Sequence, residues 1–266
     1  MKDTPEAIRL ADYQPPDYRL SQTQLSFEIG DGETRVENRM TLERAGGPRP
    51  LSLDGENMVL ESVAVDGRVL GDNEYVLDDV QLTLHDLPER CEVTVVTRIE
   101  PEKNTALEGL YKSSGMYCTQ CEAEGFRRIT YYPDRPDVLS VFTTSIVTDA
   151  GLPVLLANGN KIADEVLPDG RRRVAWHDPF PKPSYLFALV AGDLSMISDA
   201  FTTMSGRQVR LEIYSEPHNI SQCDYAMDAL KRSMRWDEET YGREYDLDVY
   251  MIVAVDDFNM GAMENK

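Results

Sequence analysis

No apolar run in this 266-residue sequence approaches the roughly 20 residues that a membrane-crossing helix needs, so a membrane role is not expected. The opening stretch, MKDTPEAIRLADYQPPDYRL, carries no apolar segment of the kind a secretory leader has. Cysteine is scarce, at four residues, which excludes a disulfide-stapled scaffold and points to a reducing, cytoplasmic setting. Positive charge is in short supply: 27 Lys and Arg stand against 47 Asp and Glu, for a net charge of −20. That balance repels nucleic-acid phosphates and anionic membrane surfaces, so neither is expected as a partner. It favours solubility first, and it also attracts cationic ligands such as peptides with a free amine. Histidine is rarer still: of His85, His177 and His218, none has a partner four residues on, so there is no His-Glu-x-x-His helix. A Gly-rich phosphate loop and a G-x-S-x-G elbow are missing too.

What is present is enough apolar residue, 41%, to build one large core or two ordinary ones. From residue 20 to about 100 the pattern is of short strands. Leu25, Phe27 and Ile29 alternate, GDGE turns the chain, and Val36, Met40 and Leu42 resume on the same face. SVAVDGRVL reads as a hairpin turning at Asp66-Gly67. YVLDDVQLTL places Val80, Leu82 and Leu84 on one face, and Cys91, Val93 and Val95 alternate in CEVTVVTRI. Further strands are expected in SVFTTSIVT, PVLLANGN, RRRVAWH and SYLFALVAG, with the Pro-rich DPFPKPS separating the last two. This grammar is that of an antiparallel sandwich or barrel.

The first helix is expected late, in SQCDYAMDALKRSMRWDEETYG. Ser221 and Asp224 have capping-box spacing, Met227, Leu230, Met234 and Tyr241 share a face, and Gly242 offers a stop. The apolar run YDLDVYMIVAV then reads as a strand buried on both faces. A helix followed by such a strand differs from what precedes it, which places a boundary near Asp193: an all-β domain over 1–193 and a mixed domain over 194–266.

Two segments carry chemistry. GAMEN, Gly261 to Asn265, sets the carboxylate of Glu264 just after a strand. Alone it is equally an ordinary loop. CTQCEAEG holds a Cys118/Cys121 pair, but a zinc ribbon needs a second close pair and only Cys91 and Cys223 remain, so buried free thiols are expected. Gln120, Glu122 and Glu124 in the same stretch are more informative, since carboxylates beside an amide can complete a polar site.

The segments DYQPPDY, LEGLYKSSGMYCTQCEAEGFRRITYYPDRPDV, PFPKPSYLFALVAGDL and WDEETYGREYDLDVYMIVAVDDFNMGAMENK occur together and in this order. The chain thereby resembles the N-terminal part of the bacterial aminopeptidase N family, zinc-dependent exopeptidases, over essentially its whole length. The resemblance implies a mainly β fold: a β-sandwich-like N-terminal domain, then the first strands and helix of a thermolysin-like α+β catalytic domain. It also implies that Gly261–Asn265 is an edge strand along which a substrate peptide lies. Glu264 would receive the free α-amino group, with Glu122 as a second carboxylate and Gln120 nearby. Met260 would line the pocket for the first side chain, and Gly261, Ala262, Met263 and Asn265 would help hold the peptide.

The family's zinc, held by a His-Glu-x-x-His helix and a further glutamate, would lie after Lys266, as would its catalytic tyrosine. No metal is therefore expected on this chain, which would be an inactive piece of a longer enzyme and would self-associate weakly through apolar surface in 194–266. Two other readings stand beside this one. A non-catalytic module could grip peptide N-termini with Glu122 and Glu264, or a structural β domain could dock on a partner. Binding of free-amine peptides, lost on N-acetylation, separates those two.

Overall fold

Burial with a period of two builds the first layer. In the strand Tyr18–Ile29, Leu25, Phe27 and Ile29 are buried, and in Thr34–Arg44 so are Val36, Met40 and Leu42. The two pair antiparallel across the turn, as expected. The computed structural model describes residues 9–47, 49–149, 151–256, 258 and 260–266. Residues 1–8, read above for a leader, and Asp257 and Asn259 of the C-terminal stretch lie outside the described residues.

Eight strands form the largest sheet, in the order Asn160–Val166, Arg172–Lys182, Ser140–Thr148, Tyr18–Ile29, Thr34–Arg44, Arg90–Ile99, Val59–Val65 and Arg68–Val69. All neighbours are antiparallel except Tyr18–Ile29 with Ser140–Thr148, which are parallel. A four-stranded sheet has the order Val154–Ala157, Leu189–Gly192, Met116–Gln120 and Gly109–Ser113. A three-stranded one runs Leu51–Asp54, Gln81–Leu84 and Tyr75–Leu77. Side chains of all three sheets, among them Phe27, Met40, Val95, Leu53, Leu84, Leu110 and Leu189, share one apolar core. This is the expected mainly β, sandwich-like arrangement. Exposed pairs such as Arg35–Glu61 and Arg39–Glu37, both at 3.0 Å, decorate the large sheet and are worth about 0–1 kcal/mol each.

An aromatic knot marks the centre of this core. The Phe126 ring meets Tyr132 at 4.9 Å, Phe187 at 5.3 Å and Phe142 at 6.1 Å, and Phe27 stacks on Phe187 at 5.8 Å. Each fully buried phenyl contributes about 1.5–3 kcal/mol. The knot fixes the backbone around Phe126 and Phe187.

A second apolar cluster lies C-terminal. The strands Ser195–Thr202, Gln208–Ser215 and Val249–Val253 form a sheet, the last two parallel, and the helix Asp224–Tyr241 packs on it. Met227, Leu230 and Met234 meet Val209, Leu211 and Ile213 there, while Tyr214 and Val249 join the larger core. The helix ends at Gly242, as expected, in the left-handed conformation at φ 63° with its N–H bonded to Glu238 O. No helix among the described residues is long and apolar enough to cross a membrane.

Several expectations need correction. Val80 is exposed, because Asp78 Oδ1 accepts the N–H groups of Val80 and Gln81 and draws Val80 into a turn; only Leu82 and Leu84 face the core. No capping box forms: Ser221 belongs to a 3-10 turn, Ile220–Gln222, and the helix starts at Asp224 after Cys223, which makes no side-chain cap. Tyr241 is exposed and packs edge-on against Trp236. The strand Arg172–Lys182 continues through Pro179 and Pro181, with a register irregularity between Ser140 and Phe142, so of DPFPKPS only Pro183 and Ser184 fall between this strand and the next. SYLFALVAG is a 3-10 turn, Ser184–Leu186, followed by a strand only over Leu189–Gly192. Val249–Val253 is an edge strand, half-buried along most of its length rather than covered on both faces.

Candidate functional site

The strand Met116–Gln120 is buried at every residue and ends at Gln120. The chain then reverses in a turn over 122–125 that only glycine closes. A Cβ on Gly125 would stand 2.3 Å from Gln120 O and 2.9 Å from Gly109 N, both backbone atoms. Gly125 N–H donates to Cys121 O at 2.9 Å, and the Glu122–Ala123 peptide is cis. This tight reversal pushes Glu122, Ala123 and Glu124 outward, where all three are exposed, while Cys121 and Phe126 on either side are buried.

The segment beyond is stitched to the sandwich. Arg127 donates to Asp134 Oδ2 through Nε at 3.1 Å and through its backbone N–H at 3.2 Å, and Arg127 O accepts from Glu56 N–H at 2.9 Å. Thr97 Oγ1 donates to Ile129 O at 3.1 Å, Asn38 Nδ2 to Tyr131 O at 3.2 Å, and Asp54 pairs backbone to backbone with Tyr132. Burial pushes the Asp54 carboxyl above the usual carboxylate range, against the pull of Arg127.

Gln120 itself is only 2% exposed. Its Nε2 donates to Glu122 O at 3.3 Å, while Oε1 is buried with no hydrogen-bond partner. A buried acceptor left bare costs about 1–3 kcal/mol and is uncommon in native folds. Gln120 therefore has an unfilled acceptor in a side chain that bonds the backbone of the exposed Glu122.

Gly261–Asn265 does not lie in a ladder here, in contrast to the edge strand expected from the resemblance. It is held at both ends instead. Upstream, Asp256 accepts from Asn219 Nδ2 at 2.6 Å, lies 2.8 Å from His218 Nε2, and donates its N–H to Glu216 Oε1 at 3.3 Å. Downstream, Asn265 Nδ2 donates to Leu186 O at 3.3 Å and Asn265 O accepts from Asn158 Nδ2 at 2.6 Å. Lys266 pairs with Asp246, and its ammonium sits 4.6 Å from the Phe180 ring centre and 5.7 Å from that of Tyr245. Between these anchors Met263 packs on the large core, while Met260, Gly261, Ala262 and Glu264 are exposed. Tyr250, on the edge strand, has its phenol pushed up by burial first and then by the charges of Asp237 and Glu264.

Behind this end of the chain, Lys182 and Asp178 form an ion pair at 2.5 Å, both nearly out of water. Burial lowers Lys182 to about 8 despite Asp178, and the Lys266 charge adds to the lowering. The sequence pointed to neither Lys182 nor Lys266 nor Asn158. The turn signal Asn-Gly-Asn at 158–160 stood inside a stretch read as strand.

Cys118 and Cys121 are buried free thiols, as are Cys91 and Cys223. Burial pushes Cys118 up to about 11. Among the described residues no group of three or more His, Cys, Asp and Glu side chains is arranged to hold a metal ion. The residues at hand thus do not fit the zinc that the resemblance implies.

The Peptidase M1 N-terminal domain matches residues 50–186, and the Peptidase family M1 domain matches residues 225–266. The chain is 53% identical to Aminopeptidase N of Caulobacter vibrioides over 99% of its length, and 50% identical to Aminopeptidase N of Escherichia coli over all of it. It spans 31% of the length of each. The crystal structure of Legionella pneumophila aminopeptidase A in complex with aspartic acid superposes with a TM-score of 0.92 at 36% identity. That match covers 97% of this chain and 31% of the other.

Proposed function

Because this chain belongs to the peptidase M1 family, we propose that it is the amine-anchoring part of a zinc aminopeptidase that removes single residues from peptide N-termini. The observation that carries this reading is the bare, buried Oε1 of Gln120, whose amide bonds the backbone of the exposed Glu122. A substrate α-ammonium has three N–H donors and one positive charge. It satisfies the Gln120 acceptor and gains charge-assisted bonds from Glu122 and Glu264, each roughly twice as strong as a neutral bond. An acylated N-terminus brings no charge and fewer donors, and leaves carboxylates unpaired, so it is rejected. Met260 lines the space for the first side chain, and the backbone at Gly261 and Ala262, with Met263 and Asn265, borders the peptide.

In this reading residues 1–193 form the N-terminal domain and 194–266 begin the catalytic one. The zinc is held by residues outside these 266. The 266-residue chain alone is inactive, it self-associates weakly through apolar surface in 194–266, and the whole enzyme works in the cytoplasm.

The test compares the whole protein with the 266-residue chain on alanyl and N-acetylalanyl arylamides. Release of arylamine from the free-amine substrate alone, by the whole protein alone and sensitive to a zinc chelator, supports the proposal. Equal cleavage of the acetylated substrate, or cleavage by the short chain, sinks it.

A further inference from the structure

The turn Asn158-Gly159-Asn160 lies far from Gln120 and Glu264 in sequence, yet it reaches the supports of both. Its geometry is forced. Gly159 has φ +92°, and a Cβ there would stand 2.2 Å from His177 O, so the turn is pressed against the strand Arg172–Lys182. This drives the two flanking amides in different directions. Asn160 turns to Asp248: its Nδ2 donates to Asp248 Oδ2 at 3.0 Å and its Oδ1 accepts from Asp248 N–H at 2.9 Å. Asn158 turns inward. Its Oδ1 accepts from Ala188 N–H at 2.7 Å, and its Nδ2 donates to Leu186 O at 3.0 Å and to Asn265 O at 2.6 Å.

Both bonds of Asn158 to the sandwich fall on the segment that also fixes the Gln120 strand. Thr119 Oγ1 accepts from Leu189 N–H at 2.9 Å and donates to Leu189 O at 3.4 Å. Phe187, in the middle of that segment, is fully buried in the aromatic knot. Hydrogen bonds joined by the backbone of 186–189 therefore link Asn265 through Asn158 to Thr119, the chain neighbour of Gln120. Glu264 is one residue from Asn265, and Glu122 is two residues beyond Gln120.

We infer that Asn158 is a positioning residue for substrate recognition: it sets the height of Glu264 against Gln120 and Glu122 and thereby fixes the grip on the substrate ammonium. This rests on the aminopeptidase reading above. Asn158 touches no substrate itself. An ammonium shared by groups on two segments loses bonds when one segment shifts by an ångström, and a misplacement of that size costs up to about 100-fold. A longer bond runs in parallel, from Asn265 Nδ2 to Leu186 O at 3.3 Å, but Asn158 supplies the shorter links, 2.6 Å to Asn265 O and 3.0 Å to Leu186 O, and alone among these groups also accepts from Ala188 N–H.

The experiment uses the whole protein and the variant Asn158→Asp, which keeps the shape and the acceptor for Ala188 but loses both donated bonds. Asn160→Ala serves as the comparison, since it removes the Asp248 link and leaves the Asn158 path intact. KM and kcat are measured on an alanyl arylamide, and melting temperatures on each protein. The expected result is a KM about tenfold higher for Asn158→Asp with kcat within about twofold, and an unchanged KM for Asn160→Ala at a lowered melting temperature. If Asn158→Asp does not fold by circular dichroism, Asn158→Ser carries the same test, because its hydroxyl is too short to reach Asn265. A folded Asn158 variant with the wild-type KM overturns the inference alone. A wild-type protein without activity removes the aminopeptidase reading and this inference with it.

Discussion

Ser184 donates its hydroxyl hydrogen to Asp134 Oδ1 at 2.5 Å inside the protein, tying the end of the Glu122-bearing loop to the 3-10 turn Ser184–Leu186. Two other ties meet the same short stretch: Thr119 to Leu189, and Asn158 with Asn265 to Leu186. Residues 184–189 are therefore a shared reference for segments that lie far apart in the chain. Phe187 makes that reference rigid. Holding recognition groups on one packed element is what allows two loops to present charges at a fixed spacing.

Asp134 is the most consequential single side chain in this arrangement. It is nearly fully buried and accepts from Arg127, from the Arg127 backbone and from Ser184. Asp134→Ala removes the one carboxylate that bonds the largely buried Arg127 guanidinium directly from inside the protein, leaving it the exposed Glu124 and the more distant charge of Asp54. A broken buried pair costs about 3–5 kcal/mol. Urea unfolding of the variant is expected to show a loss of that order. A loss below about 1 kcal/mol would mean that the loop does not depend on this pair.

Two glycines make opposite predictions. Gly125→Ala drives a Cβ to 2.3 Å from Gln120 O, a backbone atom that has nowhere to go, and is expected to lower the melting temperature by several degrees or prevent folding. Gly261→Ala meets nothing within 4 Å and is expected to leave the melting temperature within about a degree. Thermal denaturation of the pair reads both outcomes in one experiment, and equal melting temperatures would contradict the tight reversal after Gln120.

Thiol chemistry offers a test of the packing around the Cys118/Cys121 pair. Burial raises Cys91 and Cys118 to about 11 and lifts Cys121 well above its ordinary value. At pH 8 the thiolate fraction of a group at 11 is on the order of 0.1%, against about a quarter for an unfolded cysteine. Iodoacetamide at pH 8 is expected to leave these three unlabelled in the folded protein and to modify all of them in guanidinium. Rapid labelling of Cys118 in the native state would show that its strand opens.

The sandwich was legible in the sequence because its signals are local. Leu25, Phe27 and Ile29 alternate within five residues, Asp66-Gly67 carries the two positive φ angles that a tight hairpin demands, and Gly242 ends its helix on conformational grounds alone. Val80 escaped because alternation says nothing of a side chain such as Asp78 capping backbone groups and drawing the chain into a turn. Residue resemblance singled out Gln120, Glu122 and Glu264, but not what holds them. Asn158 and Asn265 are 107 positions apart, and Asp134 and Ser184 are 50 apart. No periodicity couples residues at those separations. Only the stacking of one sheet on another brings them together.

The pair between Asp164 and Arg172 predicts how the sandwich responds to acid. Arg172 donates Nε to Asp164 Oδ1 at 2.9 Å and Nη2 to Oδ2 at 2.8 Å, a two-pronged contact across the outermost strands of the large sheet, and Lys161 adds a third donor at 3.1 Å. These bonds, Arg172 first, draw the Asp164 carboxyl down to about 2. An unfolded aspartate titrates near 3.9, so between the two values the unfolded chain binds a proton that the folded one does not. Stability therefore rises with pH through this window: the contribution of the pair is complete above about 4 and is lost as pH falls toward 2. Both side chains are about one-third exposed, and water screens part of the attraction, so its worth at neutral pH is about 1 kcal/mol. Asp164→Asn is expected to melt below wild type by a few degrees at pH 7 and to converge with it near pH 2. A difference that persisted undiminished at low pH would assign the effect to packing along Asn160–Val166 rather than to the charge.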